Sequence, residues 1–317
     1  MNPSSTIFVA GVDTLLGSAI VRQLQRQGCH RIVGAEGDAP DLTDLAAVDG
    51  FFGRMKPEYV FAAAGKSGGI SANQKYPADF ILNNLLVESH IIDSAHRHGV
   101  KKLLYLASSC VYPTSCAQPM RPEALLTGPL EPTSEAYAVA KIAGIKLCQA
   151  YRRQHGAHFI SVIPADAFGL GSKFSAEDSH VVPALMVKMH EAKQHGHERV
   201  EIWGTGNPRR EFTFADDLAD ACLLLMREYD SAEPINVGAG ETVSIFEIAS
   251  QIQEVVGYRG RLHFDTSKPD GAPIKLLDST PLRKLGWLPR TTLPEALTQT
   301  YGYFLQTRQH SEAAHAR

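Results

Sequence analysis

Ile7-Phe-Val-Ala-Gly-Val-Asp-Thr-Leu-Leu-Gly17 decides the fold. Four apolar residues end at Gly11, and Gly17 lies in a helical pattern that runs from about Leu16 to Gln27. A strand, a glycine turn and a helix in that order aim free N–H groups and the helix dipole at a place where an anion can sit. An ordinary strand–turn–helix connection can carry the same two glycines, so the run speaks more firmly for the fold than for a ligand. Thr14 also stands where a middle glycine would ease close approach of backbone to a pyrophosphate.

Working outward, Arg31-Ile-Val33, Tyr59-Val-Phe61, Lys102–Leu106 and Phe159–Ile163 read as further strands. Phe80–His98 and Ala136–His155 carry helical periodicity between them. Alternation of this kind predicts an α/β fold with a doubly wound parallel sheet of the Rossmann type. After Pro164 the texture changes. Phe168–Phe174 reads as loop, Ser179–Ala192 as helix, and Val200–Trp203 as a short strand before Gly204-Thr-Gly-Asn-Pro208. Asp216–Glu228 and Ser244–Val256 read as helices flanking Ile235-Asn-Val237, and Lys268–Pro273 is turn-rich. The expected organisation is a dinucleotide-binding lobe from residues 1–168, to which about 208–238 return. A smaller C-terminal substrate lobe takes 169–207 and 239–305, and a tail takes 306–317, whose polar end His310–Arg317 is expected to fray. A cleft is expected between the lobes.

The chain has 317 residues, 44% hydrophobic and 21% charged, with a net charge of −3. Mixed charge gives no reason to expect nucleic acid or an anionic membrane as partner. Five cysteines, odd in number and without CxxC spacing, argue against a disulfide framework or a metal site and fit a reducing cytoplasm. The N-terminus shows no signal peptide pattern.

The chemistry is carried by Tyr137-Ala-Val-Ala-Lys141. Residues four apart share a helix face, so the lysine ammonium can favour phenolate and the phenol can exchange a proton with a carbinol oxygen. Ser108, at the end of a predicted strand, can hold that same oxygen. An exposed i,i+4 pair would look the same in isolation. With a nicotinamide site nearby, the set means redox chemistry at a carbonyl.

Several runs together resemble the GDP-L-fucose synthase family of extended short-chain dehydrogenases/reductases. They are Ser67-Gly-Gly-Ile70, Tyr76–Phe80, Ser108-Ser-Cys-Val-Tyr-Pro113, Leu130-Glu-Pro132 and Ala140–Cys148, and further on Ser179-His180, Trp203–Gly206, Arg210-Glu-Phe212 and Ser267–Gly271 with Lys275–Asp278. The resemblance runs in register from about Ile7 to Leu305. It implies 3,5-epimerisation of a GDP-4-keto-6-deoxymannose followed by nicotinamide-dependent reduction at C4. In that register Tyr137 is the proton donor at O4, Lys141 its electrostatic support and Ser108 a hydrogen-bond partner of O4. Cys110 and His180 are the base and acid of the epimerisations. Lys188, Trp203, Arg210, Asp270 and Lys275 match positions that hold the GDP-sugar. The implied cofactor contacts are Gly11, Thr14, Leu15, Leu16, Gly17, Glu36, Asp41, Leu42, Ala63, Lys141, Pro164, Ala165, Asp166, Ala167 and His180. A homodimer formed by the two long helices is the superfamily default.

Departures from the family pattern cluster at the cofactor. The family's G-x-R-G-x-x-G is here Gly11-Val-Asp-Thr-Leu-Leu-Gly17, and its basic positions after the second strand are Ala35 and Gly37. Its P-T-N reads Pro164-Ala-Asp166, and its arginine before Lys275 is Ile274. The resemblance implies NADP, whereas Asp13, Glu36 and Asp38 suit a free ribose 2′-OH and repel a 2′-phosphate, which favours NAD. Three other readings stay open on sequence: an NAD-retaining, redox-neutral epimerase; the same chemistry on a sibling GDP-sugar such as one leading to colitose; and a non-catalytic binding protein with a decayed nucleotide site.

Overall fold

The computed structural model describes residues 1–35, 37–268 and 270–315. Strand β1 (Ile7–Ala10) is fully buried and feeds helix α1 (Leu15–Arg26). Then follow β2 (Ile32–Val33), α2 (Leu45–Met55), β3 (Tyr59–Ala62), α3 (Ile70–Lys75), α4 (Pro77–Arg97) and β4 (Lys102–Leu106). Helix α5 (Glu135–His155) and β5 (Phe159–Pro164) complete the first half. Next come β6 (Asp166–Phe168), α6 (Val181–His195), β7 (Arg199–Trp203), β8 (Arg209–Arg210), β9 (Phe212–Phe214), α7 (Ala215–Glu228) and β10 (Ile235–Val237). The chain ends with β11 (Val243–Ser244), α8 (Ile245–Val256), β12 (Arg261–Asp265), β13 (Ile274–Lys275), α9 (Thr280–Lys284) and α10 (Leu293–His315).

The main sheet runs β10-β5-β4-β3-β1-β2, all parallel. From β1 the chain moves to one side for β2 and to the other for β3. The crevice beyond the strand ends at that reversal is where such sheets bind ligands. Burial on both faces explains why the strands read as continuous apolar runs. Along β1, Phe8 and Ala10 face one hydrophobic cluster with α2, α4 and α5, while Ile7 and Val9 face another with α1 and α7. Phe8 packs on Phe51 and Phe52 at centroid distances of 4.7 and 5.6 Å. Helix α2, which carries these rings, has no predicted counterpart because Ala46, Ala47, Gly50 and Gly53 dilute its apolar stripe. Asp44 fixes its start by accepting from the Ala46 and Ala47 N–H groups.

A third cluster, including Phe168, Met186, Met189, Ile248, Ile252 and Leu297, packs the C-terminal elements. Small sheets frame it: β11-β8-β13, β12-β7 and β6-β9. The chain crosses between clusters more often than composition suggests. Phe212 and Phe214 belong to the third, α7 and β10 return to the main sheet, and Leu282 and Trp287 pack there too. Helix α10 runs to His315, so the stretch expected to fray from His310 is helical up to there. Buried Phe304 pins it against His190, with ring centroids 5.0 Å apart. Among the described residues, no helix is long and apolar enough to cross a membrane.

Candidate active site

One cavity of about 810 Å³ opens at the strand ends and extends toward the third cluster. Its dinucleotide side begins at the glycine turn. Gly11 has φ +85°, and a side chain there would run into the backbone of Ala63 and Ala64. A side chain at 17 would collide with the Gly11 carbonyl, so this glycine lets α1 close on the turn. Neither glycine is on the cavity wall; both shape the turn beneath it. Thr14, Leu15 and Leu16 do line it. Thr14 caps α1 by accepting from the Gly17 N–H at 3.0 Å, and its hydroxyl donates to Gly11 O at 2.7 Å. The Leu15 and Leu16 N–H groups lie in the first turn, which has no intrahelical acceptors to offer them. That turn fits a pyrophosphate.

Further along this wall come Ala63, Pro164, Ala165, Asp166 and Ala167, all as expected. Asp41 and Leu42 are not on it. Asp41 instead accepts from the Thr43 N–H at 2.9 Å and its hydroxyl at 2.7 Å, which holds the carboxyl below its usual range. Leu42 packs against the first hydrophobic cluster, and its carbonyl lies 3.1 Å from His90 Nδ1. Glu36 lies outside the described residues.

The reactive groups meet in the middle. Ser108 follows β4 by two residues and caps a 3₁₀ turn over Ser109–Val111, which presents half-buried Cys110. Tyr137 and Lys141 project from one face of α5, with the Lys141 Nζ 6.0 Å from the phenol ring centroid. Phe80 holds the Tyr137 ring edge-on at 6.1 Å. Burial and the nearby Cys110 thiol push the Tyr137 phenol above its ordinary range, and its hydrogen bond with Ser108 opposes this. Lys141 is almost fully buried, donates to Leu106 O at 3.3 Å and stands 3.8 Å from Glu88 Oε2. Burial lowers the lysine and raises the glutamate, while their mutual attraction opposes both shifts.

His180 stands at the N-cap position of α6, makes no side-chain capping hydrogen bond, and is exposed to the cavity. Desolvation by the neighbouring cavity walls holds its imidazole below the ordinary histidine range, against the pull of the Asp166 carboxylate. Its placement depends on a glycine pair. The Gly69 N–H donates to Asp178 O at 2.9 Å, and a side chain at 69 would meet the Ser179 carbonyl at 2.7 Å. Asn73 locks this loop by donating to Gly68 O and Gly69 O. Ser67, Gly68, Gly69 and Asn84 line the cavity but are not foreseen as site residues. The glycine pair after β3 is the signal for them.

The far end carries Lys188, Trp203, Arg210, Asp270 and Lys275, all on the cavity wall. Arg210 and Lys275 are register partners on parallel β8 and β13. Two cations side by side repel each other unless an anion lies between them, which suits a diphosphate. Burial lowers the Arg210 guanidinium, while Asp166, Cys110, Glu131 and Asp270 draw it the other way. Trp203 is 46% exposed, a planar apolar surface with the Lys268 Nζ 5.4 Å over it. Asp270 already accepts from the Thr205 N–H at 2.6 Å and its hydroxyl at 2.9 Å, so it braces the loop as well as facing the cleft.

A doubly wound sheet whose cleft joins an α1 phosphate turn to a Ser-Tyr-Lys set defines an extended short-chain dehydrogenase/reductase. The chain belongs to the NAD dependent epimerase/dehydratase family, which it matches over residues 7–238. It is 53% identical to GDP-L-fucose synthase 1 of Arabidopsis thaliana over 303 residues, 96% of this chain and 94% of that one. It is 46% identical to GDP-L-fucose synthase of Escherichia coli K12 over 311 residues, 95% of this chain and 97% of that one. Among solved structures, a GDP-L-fucose synthetase from Naegleria fowleri bound to NADP superposes with a TM-score of 0.89 at 29% identity. That match covers 98% of this chain and 96% of the other.

Proposed function

We propose that the chain converts GDP-4-keto-6-deoxy-D-mannose to GDP-L-fucose, inverting C3 and C5 and then reducing the C4 ketone. The observation that carries this reading is that Ser108, Cys110, Tyr137, Lys141 and His180 line one cavity with the Arg210–Lys275 pair. The 46–53% identity to GDP-L-fucose synthases supports it.

The ketone acidifies the neighbouring C–H bonds by delocalising a carbanion into an enolate, so side chains of moderate pKa suffice. Cys110 takes the proton from C3 or C5, and His180 returns one on the opposite face. An imidazolium of lowered pKa releases its proton more readily. Ser108 holds O4, where the enolate charge collects. A bound nicotinamide supplies the hydride for C4. Tyr137 delivers the balancing proton to O4, and the Lys141 ammonium stabilises the phenolate left behind. Arg210 and Lys275 hold the diphosphate, Lys188 adds charge, and Trp203 gives the base a surface.

We infer that NADH serves better than NADPH. Ala35 and Gly37 offer no cation to a 2′-phosphate, and the acidic side chains of Asp13 and Asp38 are exposed. The dinucleotide occupies the lobe of residues 1–168 with α7 and β10, and the GDP-sugar the other lobe. The protein works as a cytoplasmic homodimer. Leu82 on α4 and Val139 on α5 are exposed on the long helices, and all five cysteines are free thiols.

The test is incubation of the purified protein with GDP-4-keto-6-deoxymannose and either dinucleotide, with the product identified by NMR. GDP-L-fucose formed with stoichiometric loss of reduced dinucleotide is expected. Turnover without that loss would instead mean a redox-neutral epimerase.

A further inference from the structure

We propose that Glu88 is a positioning residue for the reduction, acting through Lys141 to hold its ammonium charged beneath Tyr137. This rests on the reductase reading above.

Glu88 lies on α4 on the far side of Lys141 from the cavity and does not line it. It is 3% exposed. Its Oε2 accepts from the Tyr105 hydroxyl and stands 3.8 Å from the Lys141 Nζ, with both charged side chains 4% exposed. Lys141 Nζ also lies 5.0 Å from the Tyr105 ring centroid, so carboxylate, phenol and ammonium form one compact set. Gly144, one turn along α5 from Lys141, makes the set possible: a side chain there would collide with the Tyr105 hydroxyl. The Gly144 N–H faces the carboxyl and favours its ionised form.

A spacer in this place would be more stable if it were apolar. Burying a carboxylate costs several kcal/mol before its partner repays it, and Oε1 accepts no hydrogen bond within the protein. What the carboxylate supplies is charge. The titratable groups facing it are Lys141, Tyr137 and Cys148 from α5 and Tyr105 from β4. Cys148 is pushed up to about 12 and Tyr105 is raised further by burial, so both stay neutral while the reaction runs. Tyr137 and Lys141 remain to respond. A negative charge at 88 raises both of them, keeping the phenol protonated and the lysine charged, the states that O4 protonation needs.

The sign of the test follows. Glu88→Gln removes the charge and keeps the shape, so both groups lose their protons at lower pH. The alkaline limb of the pH profile for single-turnover hydride transfer should move down by roughly one unit, with roughly tenfold slower transfer on that limb. Exchange of the C3 and C5 protons with deuterated solvent, which relies on Cys110 and His180, should stay within about twofold. Glu88→Asp should recover part of the shift. An unchanged alkaline limb overturns the proposal, and so does equal loss of exchange and hydride transfer, which would mean a structural role. Should Glu88→Gln fail to fold, Tyr105→Phe keeps the carboxylate but removes its donor. With the charge kept, the limb must stay at or above its wild-type position, and any downward move overturns the proposal. Wild-type protein that neither exchanges nor reduces sinks the reductase reading itself, a result separate from any of these.

Discussion

The two ends of the cleft are built differently. At the reacting end, Ser108, Tyr137, Lys141 and Glu88 are wedged between α4, α5 and β4, each engaged by a neighbour. At the adenosine end, the turn after β2 presents Ala35, Gly37 and Asp38, with Asp41 folded back on Thr43. Charge buried in a packed wall is coupled to everything around it, so altering one member disturbs the rest. Charge on an exposed turn is screened and individually weak, so it can be exchanged with little effect on the fold. Change at one end is therefore open to the protein in a way that change at the other is not. The difference predicts reaction chemistry of the GDP-L-fucose synthase kind coupled to an altered choice of dinucleotide.

The largest effect should come from the packed end. Tyr137→Phe removes the proton donor and should lower C4 reduction by about 10²–10⁴-fold, while exchange of the C3 and C5 protons persists. Proton NMR in deuterated solvent separates the two steps. Loss of both together would mean that the phenol also organises the epimerisation. Cys110→Ser should do the reverse, slowing exchange by about 10²-fold or more. Hydride transfer to an already epimerised substrate should continue, measured by dinucleotide absorbance in a single turnover.

Much of this end is legible in the sequence. The Tyr137–Lys141 spacing, the strand ending before Ser108 and the alternating elements each follow from local chemistry, and β4 falls where predicted. Glu88 is not legible, because nothing local says that a glutamate in α4 will face a lysine in α5. Only the packing of α4 on α5 brings them together, and the open space at Gly144 is visible only once Tyr105 is in place. Asp41 and Leu42 lie off the cavity wall for the opposite reason. Sequence register predicts proximity but not that Thr43 captures the Asp41 side chain. The tail reads as frayed because its residues are polar, while α10 is held just before it by buried Phe304 and within it by Arg308 beside Glu191.

Smaller effects belong to the exposed end. Ala35→Arg returns a cation beside the 2′ position and should raise the NADPH-to-NADH ratio of kcat/KM by about tenfold, roughly the 1.4 kcal/mol of one partly exposed charge pair. A change confined to kcat would place residue 35 away from the ribose. The smallest effect concerns stability at neither end. Glu211 is buried and its carboxyl is raised to about 7, mainly by burial, with the Leu277 and Gly240 N–H groups opposing. Its folded pKa lies above its unfolded one, so stability is greatest below about pH 4.5 for this group and falls as pH rises toward 7. Glu211→Gln should flatten that slope in thermal melts between pH 5 and 7. A slope unchanged by the substitution would show that the carboxyl ionises as easily folded as unfolded.

The contrast between the two ends is tested most directly by one comparison. With saturating GDP-4-keto-6-deoxymannose, kcat/KM is measured for NADH and for NADPH, and the product is identified by NMR. The account predicts GDP-L-fucose from both, with NADH the better reductant. Strict dependence on NADPH would contradict the reading of the adenosine end, and the absence of GDP-L-fucose with either would contradict the reading of the reacting end.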